Sequence, residues 1–167
     1  FSKEELLFTE MRHISCVANE KSDRSLNHKN IEHPLSFQFS SNSTNFLEKA
    51  VNRVLSYRCN EQKDYCFSMI NLNAGCPAKK IVHSGSGSAL MANPELLKEI
   101  LVAIVKQVDG RVPVTIKIRS GLKETNALDI ALLAQDCGAE MIIIHPRLQT
   151  GRFAAPLDFD LVKEIKN

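Results

Sequence analysis

Short apolar runs centred near residues 8, 37, 70, 115 and 143 recur along the chain at intervals of roughly thirty residues, with helical patterns between most of them. That alternation constrains the fold more than any other feature. Parallel strands need a long crossover, usually a helix, so a βαβ rhythm specifies a mostly parallel sheet with helices packed on it. The runs are Leu6–Met11, a strand opened by Pro34 (LSFQF), Phe67–Leu72, Val112–Arg119 and Met141–Ile144. From Asn42 to Arg58, Phe46, Ala50, Val54 and Leu55 fall at helical spacing, with Ser43 or Thr44 as the expected N-cap. The next helix is capped by Asn93, has Pro94 at its first position and carries Leu97, Ile100, Leu101 and Ile104 on its apolar face. Thr125–Cys137, closed by Gly138, gives a third, and Leu157–Ile165 begins a fourth. Arg12–His33 is polar and aperiodic and reads as a long loop with a helical turn at most.

No G-x-G-x-x-G follows the first strand, which disfavours a dinucleotide-binding Rossmann unit. At 167 residues the chain is one domain by length, whereas a (β/α)8 TIM barrel takes about 250. The pattern alone therefore leaves either an open five-stranded α/β sheet or part of a barrel. A net charge of +2 is too mild to establish nucleic-acid binding, so any case for RNA rests on where the basic residues sit. Five cysteines with no C-x-x-C pair argue against structural zinc and for a reducing, cytoplasmic setting. No apolar run is long enough to span a membrane, and no signal peptide is visible. The chain starts at Phe1 rather than Met, so it is expected to be less than a whole gene product.

In a parallel sheet, residues at the C-terminal strand ends converge on one face, where sites form. Those positions are Glu10, Gln38, Asn73, Cys76, Lys117, Arg119, His145 and Arg147. A free cysteine is often an inert buried residue. Cys76, however, lies past a strand in a Gly-Cys-Pro turn beside Lys79 and Lys80, which favours a reactive or proton-donating role. Lys117 and Arg119 alternate with Ile116 and Ile118, so Lys117, Arg119 and Thr115 share one strand face. Whether that face is solvent or a barrel mouth stays open, as does a helper or functional role for His145. Gly85–Ser88 reads equally as a phosphate cradle or as a turn before a capped helix. Lys79, Lys80, Arg147 and Arg152 make either a basic rim for a polyanion or scattered solvated charge. Cys76 with His83 lacks further ligands, so no metal site is expected.

The stretch INLNAGCPAKKIVHSGSGSALMANPELL resembles the central motif of the flavin-dependent tRNA-dihydrouridine synthases. So does VPVTIKIRSG, and LLFTEM, PLSFQF, IIIHPR and GRFAAPLDFDLVKEIK follow in the family's order. The resemblance covers essentially the whole chain, most loosely at residues 12–33 and 56–65. It implies a (β/α)8 TIM barrel holding FMN, with NADPH as the reductant of the flavin and tRNA as partner. Hydride would pass to C6 of a flipped-out uridine, and Cys76 would donate a proton to C5. Gln38, Asn73, Lys117 and His145 correspond to flavin-contacting positions. Asn73 also reaches the uracil, and Arg119, Lys79 and Arg147 fall on the substrate side. The resemblance further implies that residues 1–167 cover roughly barrel strands two to six. The first strand, the last two strands and a C-terminal helical domain would lie outside them.

Two other readings stand beside this one. One is a flavin barrel acting on free pyrimidines, of the dihydroorotate dehydrogenase type. The Lys-Lys pair after Gly-Cys-Pro and the downstream basic residues favour the RNA enzyme over it. The other is a non-catalytic fragment or RNA-binding scaffold. No protein partner is evident.

Overall fold

A computed structural model describes residues 5–28, 34–58, 66–150, 154 and 156–167. Its strands are β1 (Leu7–Phe8), β2 (Arg12–His13), β3 (Leu35–Ser40), β4 (Met69–Asn73), β5 (Val114–Gly121) and β6 (Met141–Leu148). The α-helices are α1 (Ile14–Asn19), α2 (Leu47–Ser56), α3 (Lys79–His83), α4 (Pro94–Val108), α5 (Ala127–Asp136) and α6 (Phe159–Lys166), with a 3₁₀ helix at Gly87–Ala92.

The sheet runs β1-β3-β4-β5-β6, with β2 also paired to β3, and every pairing is parallel. Because spatial order follows chain order, the described strands show no switch point of the kind that defines a doubly wound sheet. The helices follow the same sequence: α2 packs on α1 and α4, α4 on α5, and α5 on α6. This is the arrangement of a (β/α) barrel, present here as an arc of about half its strands, and it resolves the choice that periodicity leaves open.

Alternation along the strands separates two faces. Phe37, Phe39, Ile70, Leu72, Val114, Ile116 and Ile118 are buried in one core with Val51, Val54, Leu97, Leu101 and Ile130 from the helices. The rings of Phe37, Phe39 and Phe67 meet edge-on at centroid distances of 4.9 and 5.0 Å, a favoured aromatic geometry. The other face carries Gln38, Asn71, Asn73, Thr115 and Arg119, all buried although polar. An apolar outer face packed on helices and a polar inner face is what gives the arc its inside.

Several local elements differ from expectation, each for a physical reason. Of the expected first strand, Leu6–Met11, only Leu7–Phe8 is strand, and pairing resumes at Arg12–His13, within the stretch read as a loop. Residues 7 to 12 span the same ladder as residues 35 to 39, one residue more on the first strand, and the extra residue bulges it. Thr9 bridges the gap: its N–H donates to the Ser36 carbonyl at 2.9 Å, and its hydroxyl accepts from the Gln38 N–H at 2.9 Å. The stretch after Met11 is not a loop throughout, since α1 buries Ile14, Val17 and Ala18. This six-residue helix is capped by the His13 ring rather than by Ser, Thr, Asp or Asn. It is held from outside by Arg53 of α2, which donates to the carbonyls of Val17, Glu20 and Ser22 and pairs with Asp23. Neither Ser43 nor Thr44 caps α2. Its cap residue is Phe46 in the left-handed region at φ 65°, while the Ser41 hydroxyl bonds the Ser43 carbonyl within the loop. Asn93 and Pro94 open α4 as the pattern predicts, with the Asn93 side chain accepting from the Leu96 N–H at 3.2 Å. Finally, β6 runs four residues past Ile144. Pro146 is tolerated there because, among the described strands, β6 is a sheet edge.

Two glycines separate the conformational role from the packing role. Gly110 has φ +69° with nothing near its missing side chain, whereas at Gly87 (φ +61°) a Cβ would lie 2.8 Å from both the Cys76 carbonyl oxygen and Ile81. Gly110→Ala is expected to lose about 1–2 kcal/mol to left-handed strain alone. Gly87→Ala should lose about 1–3 kcal/mol more from the overlap, read as the difference in urea midpoints. Equal losses would show that the 87 loop yields freely.

Candidate active site

Strand β4 ends at Asn73, and the chain turns at once. The Asn73 side-chain oxygen accepts from the N–H of Gly75 at 3.2 Å and of Cys76 at 2.9 Å, an Asx turn that directs the chain away from the sheet. Gly75 crosses close over β5, where a Cβ would sit 3.2 Å from the backbone carbon of Ile118. Arg119 clasps the same turn, its Nε donating to the Gly75 carbonyl at 2.8 Å. From the other side, the Ser88 N–H donates to the Cys76 carbonyl at 3.0 Å. Cys76 is thereby fixed through its own N–H and C=O, and it remains a free, half-exposed thiol.

Register places the other candidates around this turn. Asn73 lies beside Lys117, and Arg119 beside His145, on neighbouring strands. One row towards the strand beginnings, Gln38 lies beside Asn71, and Asn71 beside Thr115. Gln38 Nε2 donates to Asn71 Oδ1 at 2.9 Å, Asn71 Nδ2 to Thr115 Oγ1 at 2.8 Å, and Asn73 Nδ2 to Gln38 Oε1 at 2.9 Å. Gln38, Asn73, Cys76, Lys117, Arg119 and His145 thus come together, and Lys117 and Arg119 face the inside of the arc.

The electrostatics of this group are one-sided. Burial, then the charge of Arg119, hold the Lys117 ammonium below the ordinary lysine range, while Cys76 pulls it back up. Arg119 is lowered in the same way, by burial first, with Cys76 opposing and Arg147 adding to the shift. His145 is pushed below the usual histidine value by burial and then by Arg119, Lys117 and Arg147, with its own backbone opposing in small part. The imidazole is therefore neutral near pH 7. Its Nδ1 is buried with no hydrogen-bond partner among the described residues. Lys117 forms no ion pair with any described carboxylate. A buried ring nitrogen without a described partner, beside Lys117, Arg119 and Arg147, is chemically able to take a polar, electron-rich ligand.

Other candidates fall elsewhere. Glu10 forms an exposed ion pair with Arg12 at 2.8 Å. Lys79 and Lys80 are exposed on α3, where with Val82, His83 and Gln149 they line a shallow hollow. Arg147 is half-buried and near enough to act on Arg119 and His145, and Arg152 lies outside the described residues. Gly85–Ser88 is not an open phosphate cradle, because the N–H groups of Gly85, Ser86 and Ser88 already donate to Val82, Ile81 and Cys76. Its second glycine serves instead to let the loop touch the Cys76 turn. Cys16 and Cys137 are free, but Cys66 is disulfide-bonded, so not every cysteine is the thiol that a reducing setting favours. No described helix is long and apolar enough to cross a membrane. Asn71 is the residue that sequence reasoning missed. The signal was its period-two relation to Asn73 inside an apolar run, a polar side chain on the same strand face.

Comparison with known proteins bears on the same residues. The family model for dihydrouridine synthases matches residues 1–167. The tRNA-dihydrouridine synthase B of Yersinia pestis is 42% identical over 100 residues, which is 59% of this chain and 30% of that protein. The Shewanella oneidensis protein of the same name is 44% identical over 100 residues, with the same shares covered. That of Pasteurella multocida is 41% identical over 105 residues, 62% of this chain and 31% of its own length. The match thus spans less than a third of the length of these curated relatives. With the family model covering every residue from the first strand to the last helix, the chain belongs to the dihydrouridine synthase family.

Proposed function

We propose that this chain carries the catalytic face of an enzyme that reduces uridine in tRNA to 5,6-dihydrouridine, with FMN as cofactor and NADPH as reductant. The observation that supports this reading most is the Cys76 turn, a half-exposed thiol locked at the strand ends among Lys117, Arg119 and His145. Family membership removes the ground for the dihydroorotate dehydrogenase reading. The exposed Lys79 and Lys80 next to the turn suit a polyanionic substrate better than a free base.

The residues present fit a flavin. His145 Nδ1 and the Lys117 ammonium, neither with a partner among the described residues, and the amides of Gln38 and Asn73 offer polar contacts to a flat heteroaromatic ring. When bound, FMN supplies the hydride that saturates C6 of the uracil. Cys76 provides the matching proton to C5, so the C5=C6 bond gains one hydride and one proton. The thiolate left behind is attracted to Lys117 and Arg119, the two cations on which Cys76 acts favourably. Asn73 orients the turn and touches the uracil side. Arg119, Arg147 and Lys79 hold the nucleotide and its phosphates, and the cytoplasm is the proposed place where the enzyme meets tRNA.

Removing the proton donor should leave the cofactor in place. In the intact protein, Cys76→Ala is expected to keep the flavin absorbance and lose about 10²- to 10⁴-fold in uridine reduction. Mass spectrometry of dihydrouridine in tRNA is the readout, and an unchanged level would remove Cys76 from the mechanism.

His145 gives a pH prediction. Above its ordinary value of about 6.5 the ring is neutral in both folded and unfolded chains, so stability is unaffected. As pH falls through that value, the unfolded chain takes up a proton that the folded chain resists. Stability therefore drops until the lower folded pKa is passed. The ring resonance should titrate with a midpoint below 6.5 by NMR, and Lys117→Met should move that midpoint upward. A midpoint at the ordinary value would mean that neither burial nor the neighbouring cations act on the ring.

A further inference from the structure

The amide side chains around the turn form a single hydrogen-bonded chain whose direction is dictated by backbone atoms at both ends. At one end, the Gly75 and Cys76 N–H groups can only donate, so the Asn73 atom that meets them must be Oδ1. Its Nδ2 must then donate, which makes the receiving atom of Gln38 Oε1. Gln38 Nε2 donates in turn, so Asn71 receives on Oδ1 and donates through Nδ2 to Thr115 Oγ1. The Thr115 hydroxyl spends its only hydrogen on the Ile70 carbonyl, 3.3 Å away, which can only accept. Reversing any one amide would set two donors or two acceptors face to face inside a buried network.

From this we infer that Asn71 and Thr115, both fully buried and one row below the strand-end pair Asn73 and Lys117, are positioning residues for the Cys76 turn and for the donor pattern of the site. They fix which way Gln38 and Asn73 present their amides. Each amide nitrogen then keeps one N–H outside the chain, so the pair offers donors, complementary to carbonyl oxygens and unprotonated ring nitrogens. The inference rests on the proposed uridine reduction only for its consequence in rate; the orientation of the turn stands on the hydrogen bonds alone.

Thr115→Val tests this, because it removes the hydroxyl at nearly constant volume. In the intact protein, amide exchange at Gly75 and Cys76 is expected to quicken about tenfold, with Ile116 and Ile118 on the mutated strand unchanged. kcat for tRNA uridine reduction should fall on the order of tenfold or more, with KM for tRNA unchanged. Thr115→Ser, which restores the hydroxyl, should return both. Unaltered exchange at Gly75 and Cys76 would overturn the inference, whatever happens to activity. So would a uniform rise along β5, which marks general destabilisation. A negative Cys76→Ala result would strike the proposed reaction and leave the exchange result standing, so the two failures are distinguishable.

Discussion

The capture of two backbone amides by one side-chain oxygen, Asn73 Oδ1 on Gly75 and Cys76, is the contact on which the rest of the site depends. A parallel strand leaving a sheet has several ways to go, and an Asx turn selects one. Once the turn is made, Gly75 can lie against β5, Arg119 can reach its carbonyl, and the 3₁₀ segment can dock with Gly87 touching Cys76. Each of these later contacts needs the earlier one, and each requires a particular residue: no side chain at 75 and 87, a long fork-shaped donor at 119. The density of constraint explains how a half-exposed thiol keeps a defined position without being buried.

The same turn joins two kinds of face that rarely meet in one sheet. Outward, the strands are apolar and packed like any core. Inward, they carry buried amides and cations, which lose hydration and must be repaid by hydrogen bonds or left as tension. The amides are bonded to one another in the order Asn73–Gln38–Asn71–Thr115, with one N–H each of Gln38 and Asn73 left outside the chain. Beyond burial, Arg119 lowers Lys117, Arg147 lowers Arg119, and all three lower the ring of His145, with no described carboxylate paired to Lys117. The amides and Arg119, which clasps the Gly75 carbonyl, thus hold the turn, while Lys117 is left without a carboxylate partner among the described residues.

Most of this was legible from residues alone where period and chemistry agreed. The strand-helix alternation, the Asn93-Pro94 start of α4 and the shared face of Lys117 and Arg119 each rest on a local rule that tertiary structure left intact. The failures are equally local. α1 carries no conventional cap and is held by Arg53, thirty or more residues away in sequence, a contact that no window of the chain contains. Phe46 caps α2 with backbone geometry that aromatic residues rarely adopt, so Ser43 and Thr44 were the reasonable and incorrect choice. Asn71 was hidden because a polar residue within an apolar strand has meaning only through its neighbours on other strands. Gln38 and Thr115 are 33 and 44 residues from it along the chain. The choice between open sheet and barrel arc likewise required strand order, which periodicity does not encode.

That distribution of legible and hidden residues follows from how the site is built. The candidate site residues sit at strand ends, where the chain leaves regular structure and the sequence marks the exit with Asn, Gly, Cys and Pro. Groups that hold them sit one row deeper, inside the strands, and the only mark they leave is polarity where an apolar side chain belongs. Thr115 and Asn71 occupy that deeper row, paired by register and buried completely. A polar pair in such a place lowers stability unless it is fully bonded, and it confers orientation when it is. Its presence in this arc is best understood as rigidity retained for the turn above it. The same logic identifies which buried polar residues of a parallel barrel to examine first: those one pleat repeat behind a strand-end asparagine.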